Sequence, residues 1–186
     1  MKKFKNKLFA VLFAVTALVA FSSCESDDYE WLRGTLNLST VNDKEPIYTY
    51  EGGLFSFNYN LRAEDIRGID ARRLDIVDVR SYESEVFLFQ SNLFRPNDRI
   101  NIRLRADGVK SYTLRMIVIV NDYGDRVAMV IDEDLYLLRE FMSNMTYNLA
   151  RNGQLKFYID GELLSTSQDT SFDFEVRNDF DFEVRY

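Results

Sequence analysis

Three arginines, Arg99, Arg103 and Arg105, with Asn101 among them, have the spacing best suited to holding a ligand. On an extended chain alternate side chains share a face, so these four would stand in one row. Arginine forks match carboxylates in shape and charge, so the chemistry of such a row is recognition of an anion such as an acidic glycan. The simpler reading pairs them across strands with some of the 30 acidic residues. A second group, Asp122 and Asp125 around Gly124 followed by Asp132, Glu133 and Asp134, offers oxygen ligands of the kind calcium takes. Its spacing does not match an EF-hand loop, and aspartates are expected in turns for local reasons, so no metal is expected. Two carboxylates could serve a glycosidase, yet nothing nominates a pair among so many. The chain has no histidine, which removes Ser-His-Asp and Cys-His catalysis and zinc sites built from Cys and His. The expectation is a protein that is not an enzyme and has no cofactor.

The one cysteine, Cys24, follows a distinctive leader. Lys2, Lys3, Lys5 and Lys7 precede a run from Leu8 to Phe21 that is apolar except for Thr16. Fourteen residues fall short of the roughly 20 that span a bilayer but suit the apolar core of an export signal. Phe21-Ser22-Ser23-Cys24 resembles the lipobox of bacterial lipoproteins, and Glu25, Ser26, Asp27, Asp28 and Glu30 resemble the acidic export signal of Bacteroidetes surface lipoproteins. The resemblance implies that Cys24 is lipidated and becomes the new N-terminus. Residues 1–23 are then a signal peptide, 24–30 a tether and 31–186 the folded domain. It also implies the outer membrane, at the cell surface, with the periplasmic face as the alternative. Two or more acyl chains suffice for stable anchoring. Lipoproteins of this kind often work beside nutrient importers, which brings glycan into view as a ligand.

Removing the leader and its four lysines leaves 19 basic against 30 acidic residues, a net of −11. Nucleic acid is therefore an unsuitable partner, since its binding is driven by neutralising phosphates. Anionic lipid repels such a body for the same reason.

The row of arginines needs a sheet to hold it, and the pattern supplies one. Phe55, Phe57, Tyr59 and Leu61 alternate with polar residues, as do Ile100, Ile102 and Leu104. So do Leu155, Phe157 and Ile159; Phe172, Phe174 and Val176; and Phe180, Phe182 and Val184. Period-2 alternation marks strands buried on one face. Tyr112 to Val120 is more continuously apolar, as in a strand covered on both faces. Gly52-Gly53, Asp107-Gly108, Asn121 to Asp125, Asn152-Gly153 and Asp160-Gly161 read as turns. The expected fold is all-β: eight to ten strands in an antiparallel β-sandwich, immunoglobulin-like, with at most one short helix.

Leu61 to Arg73 suits a loop with a helical turn. Leu135, Leu138, Met142, Met145 and Leu149 have helical spacing, yet Met145, Tyr147 and Leu149 also alternate, which favours a strand from about 143 and leaves 134–142 open. Residues 92–98, with Pro96, offer a seam between two β subdomains. The echo of Asp173-Phe174-Glu175-Val176-Arg177 in Asp181-Phe182-Glu183-Val184-Arg185 suggests a terminal hairpin. Tyr29, Trp31, Tyr48, Tyr50 and Tyr82 are expected to pack in the core rather than stack on sugars.

The functional expectation is a lipid-anchored, non-catalytic envelope protein that binds surface glycan or a partner protein. One rival is a pilin-like assembly subunit donating its C-terminal strand, Asp179 to Tyr186. Another is a periplasmic inhibitor or immunity-type lipoprotein.

Overall fold

A computed structural model describes residues 28–43, 46–89, 94–163 and 170–186; Cys24 and the leader lie outside them. Ten strands run in chain order: β1 (Tyr29–Thr35), β2 (Leu38–Ser39), β3 (Ile47–Tyr48), β4 (Leu54–Arg62), β5 (Asp75–Phe89), β6 (Arg99–Ala106), β7 (Val109–Val120), β8 (Arg126–Val130), β9 (Gln154–Leu163) and β10 (Ser171–Arg185). A short helix α1 (Thr40–Asp43) follows β2, and a long one, α2 (Leu135–Asn152), lies between β8 and β9. All strand pairs are antiparallel, in the order β1-β10-β5-β8-β7-β6-β9-β4, with β2 and β3 on β10. The fold is thus all-β, and its strands from either side of 92–98 interleave in one sheet.

The sheet curls until its ends meet. Phe57 on β4 and Phe174 on β10, far apart in strand order, bring their ring centres to 4.9 Å, and Phe55 and Phe172 to 4.8 Å. The two layers of the sandwich are therefore joined through β8, where an immunoglobulin-like domain keeps two sheets apart. β8 meets β5 at only two residue pairs, so β5 and β7 splay below it. Helix α2 packs into that opening, against β5, β7 and β9. Leu138, Phe141, Met142, Met145 and Leu149 are fully buried along its inner side.

This corrects the expectation of a strand from residue 143. The alternation of Met145, Tyr147 and Leu149 is shorter than the helical run that contains it, and burying the i, i+3, i+4 stripe decides the conformation. Asn152-Gly153 accordingly ends the helix instead of turning a hairpin: Gly153 takes φ 77° and donates its N–H to Leu149 O at 2.9 Å.

Three other expectations change. Asp160-Gly161 sits inside β9, where the glycine makes room for the ring of Phe55; any Cβ would collide with it. The repeated pentapeptide is one strand, β10, since its even-numbered residues from Phe172 to Val184 are all buried. Asn178 continues that inward run as a polar link, accepting bonds from Ser81 and Ser84 beside a bulge. Strand β7 is flanked on both sides but covered on one face only: Tyr112, Leu114, Met116 and Val118 are buried, while Ile117 is half-buried and Ile119 and Val120 are exposed. The short helical turn expected after Leu61 is present at 63–65.

Candidate binding surface

The arginine row lies on the outer face of β6, as its alternation requires, but its members have different surroundings. Arg105 donates from Nε to Asp160 on β9 at 2.8 Å, and its guanidinium stands 5.0 Å from the centre of the Tyr158 ring. Ser56 on β4 donates to the same carboxylate at 2.7 Å. Partial burial opposes the charge on Asp160, yet the bonds from Arg105 and Ser56 outweigh it and hold the carboxyl below its ordinary value. Arg103 reaches Ser111 at 3.3 Å. Arg99 is exposed, opposite Ile117, and among the described residues no carboxylate pairs with it. The row therefore contains one side chain tied into a three-strand network and one facing solvent.

Of the two acidic clusters, Asp125 and Asp134 are engaged within the fold. In the β7–β8 turn the Asn121 side chain accepts N–H bonds from Tyr123 at 3.0 Å and Asp125 at 2.8 Å. This is a local turn device. Asp134 is bound by Arg115. Among the described residues no group of three or more potential ligands converges on a metal site.

A different surface emerges from strand register. Glu175, Phe87, Met129, Ile117 and Arg99 are successive partners across β10, β5, β8, β7 and β6. One step nearer the strand ends, Val127 pairs with Ile119, with Phe89 closing the β5 side. Phe87, Phe89, Val127, Met129 and Ile117 are half-buried and Ile119 is 39% exposed, so six large apolar side chains form a strip on the outer face. The β7–β8 turn stands over it, with Tyr123 90% exposed, and together they enclose an open groove of about 780 Å³. Its rim is charged: Asp125 and Arg126 at one end, Glu175 and Arg177 at the other. Arg177 bonds Glu175 at 2.9 Å and stands 5.2 Å from the Phe87 ring centre, while Arg126 donates to Phe94 O at 2.8 Å.

This strip is concealed in the sequence because the apolar excess of 112–120 reads as burial on both faces. The signal was in the parity: Ile117 and Ile119 share a face with Thr113 and Arg115, which are polar and exposed. A second correction concerns the five unassigned aromatics. Tyr29, Trp31, Tyr48, Tyr50 and Tyr82 are all exposed rather than in the core.

No family model and no curated protein matches the chain. Among solved structures, Cocksfoot mottle virus overlaps 88% of this chain and 87% of its own at 10% identity, with a TM-score of 0.36. Desmodium yellow mottle tymovirus overlaps 87% and 91% at 5% identity and 0.30. TmCBM61, solved in complex with β-1,4-galactotriose, overlaps 89% and 94% at 10% identity and 0.28. Nothing about ligand or partner follows from overlaps this shallow.

Proposed function

We propose that this is a lipid-anchored, non-catalytic protein of the cell envelope that binds a partner protein through the outer strip of β5, β8 and β7. The leader, the Ser22-Ser23-Cys24 triplet and the acidic residues after it support the anchor and the surface location. The observation that carries the binding function is the strip itself. Phe87, Phe89, Ile117, Ile119, Val127 and Met129 lie side by side on an outer face that the β7–β8 turn and, at Phe87, Arg177 overhang without closing. Apolar side chains set side by side beneath a charged rim have the core-and-rim arrangement of a protein interface.

The side-chain chemistry favours protein over glycan. Four of the six, Ile117, Ile119, Val127 and Met129, gain from burial under other apolar groups but offer a sugar neither a flat ring nor a hydrogen bond, and Arg177 already stands over the Phe87 ring. A rim bearing both charge signs suits the mixed surface of another protein. The assembly alternative has less support, because Asp179–Arg185 is paired with β1 on one side and β5 on the other.

A photo-crosslinking residue in place of Ile119, in the protein's own host, tests the reading. The expected result is a discrete adduct with a second protein, lost when Met129→Glu is added. Adducts with glycan alone, or none, would overturn it.

A further inference from the structure

Four of the exposed aromatics lie along the border of the sheet formed by β1, the end of β10 and the first half of β5. Tyr29 and Trp31 project from β1 and Tyr82 from β5, with the C-terminal Tyr186 beside them; Trp31 is 43% exposed. Arginines are interleaved with them. The Arg80 guanidinium stands 4.7 Å from the Trp31 ring centre and that of Arg33 5.8 Å from Tyr82. Each arginine also has a carboxylate: Arg80 with Asp78 at 2.9 Å, Arg33 with Asp181 at 3.8 Å, and Arg185 with Asp75 at 2.6 Å. The surface is rich in rings whose bodies are apolar and whose rims are polar, and its guanidinium charges are balanced in place.

The position of this surface gives it an occupant. Tyr29 pairs with Arg185, which pairs with Asp75, so the described chain begins at the Tyr29 and Tyr186 end of this surface, with Tyr82 seven residues farther along β5. Tyr29 is five steps along the chain from Cys24, a reach of at most about 17 Å when fully extended. A lipid on Cys24 would therefore hold β1 within that distance of the bilayer. Tryptophan and tyrosine favour the membrane–water interface, and arginine can lie along it with its charge in the headgroup layer.

We infer that the Tyr29, Trp31, Tyr82 and Tyr186 surface rests on the lipid headgroups and fixes how the anchored domain stands. The inference depends on the proposed lipidation of Cys24. The surface suits zwitterionic lipid, because its arginines are already matched by carboxylates and the domain as a whole is acidic. The apolar strip lies farther along the same strands: Phe87 is five residues beyond Tyr82 on β5, about 17 Å, and Glu175 eight residues from Glu183, the Trp31 partner, about 26 Å.

Trp31 is the only tryptophan, so its emission reports this surface alone. The lipidated protein, purified from its host, is reconstituted into phosphatidylcholine vesicles with or without bromine high on the acyl chains. Docking predicts flotation with the vesicles, a blue shift of Trp31 emission and a loss of that emission in brominated lipid, while Cys24→Ala remains unshifted and does not float. Flotation with unchanged emission, open to acrylamide and untouched by bromine, overturns the docking inference and leaves the anchor standing. A wild-type chain that does not float overturns the anchor, and the docking inference with it.

Discussion

Asp134 takes three hydrogen bonds from the single residue Arg115. The backbone N–H reaches Oδ2 at 2.7 Å, Nε reaches Oδ2 at 3.0 Å and Nη2 reaches Oδ1 at 2.6 Å. The Asp134 side chain is only 8% exposed, and it stands where the chain leaves β8 and enters α2. This contact fixes the start of the helix to β7, and with it the cover over the gap between β5 and β7.

Its titration is predictable in sign. The side-chain bonds from Arg115 hold the Asp134 carboxyl below its ordinary value of 3.8, against the opposing effect of burial. A lowered folded pKa stabilises fully above the ordinary value and is lost as pH falls toward the lower one. Thermal melts of Asp134→Asn should therefore show a reduced Tm at neutral pH and a gap to wild type that closes below about pH 4. A gap independent of pH would mean that the charge contributes nothing.

Gly161 under Phe55 gives a steric prediction. Gly161→Ala should destabilise by about 1–3 kcal/mol in denaturant titrations, because the ring is buried and cannot retreat without strain. Combining it with Phe55→Leu should cost less than the two single changes added together.

Helix α2 is tested at Phe141, which lies between Tyr112 at 6.2 Å and Phe157 at 5.8 Å. Phe141→Ala should cost about 3–5 kcal/mol of unfolding free energy. A change below about 1 kcal/mol would show that the helix does not pack where described.

Much of this architecture was legible because one face of nearly every strand is apolar. Phe55 to Leu61, Ile100 to Leu104 and Phe172 to Val184 each state their inward face by parity alone. The errors came where a local signal had two physical causes. Gly161 resembles a turn residue but serves a neighbouring ring, and Asn178 resembles a break but is a hydrogen-bonded member of the core. Met145, Tyr147 and Leu149 alternate by coincidence within a helix that fills a gap no local pattern reveals. Arg105 could not be matched to Asp160 before β6 and β9 were known to be neighbours. The strip was hidden for a related reason, since a surplus of apolar residues reads as burial whether the cover comes from the chain or from a partner.

Ile119 lies on that strip with no structural task of its own. Purified Ile119→Glu should keep its unfolding free energy to within about 0.5 kcal/mol of wild type in denaturant titrations, as expected of an outer-face substitution. A large loss of stability would mean that the strip is already covered within the folded chain.

The most direct measurement is the reactivity of a thiol placed on the strip. The chain carries one cysteine, at the proposed lipidation site, so Ile119→Cys adds a single new reactive group; Tyr136→Cys, on the exposed side of α2, is the reference. Maleimide labelling of the purified proteins should be fast at both positions. Coverage of the strip by a partner on intact cells should strongly slow labelling at 119 but not at 136. Equal labelling at both positions on cells would contradict it, because the strip would then be uncovered where the protein works.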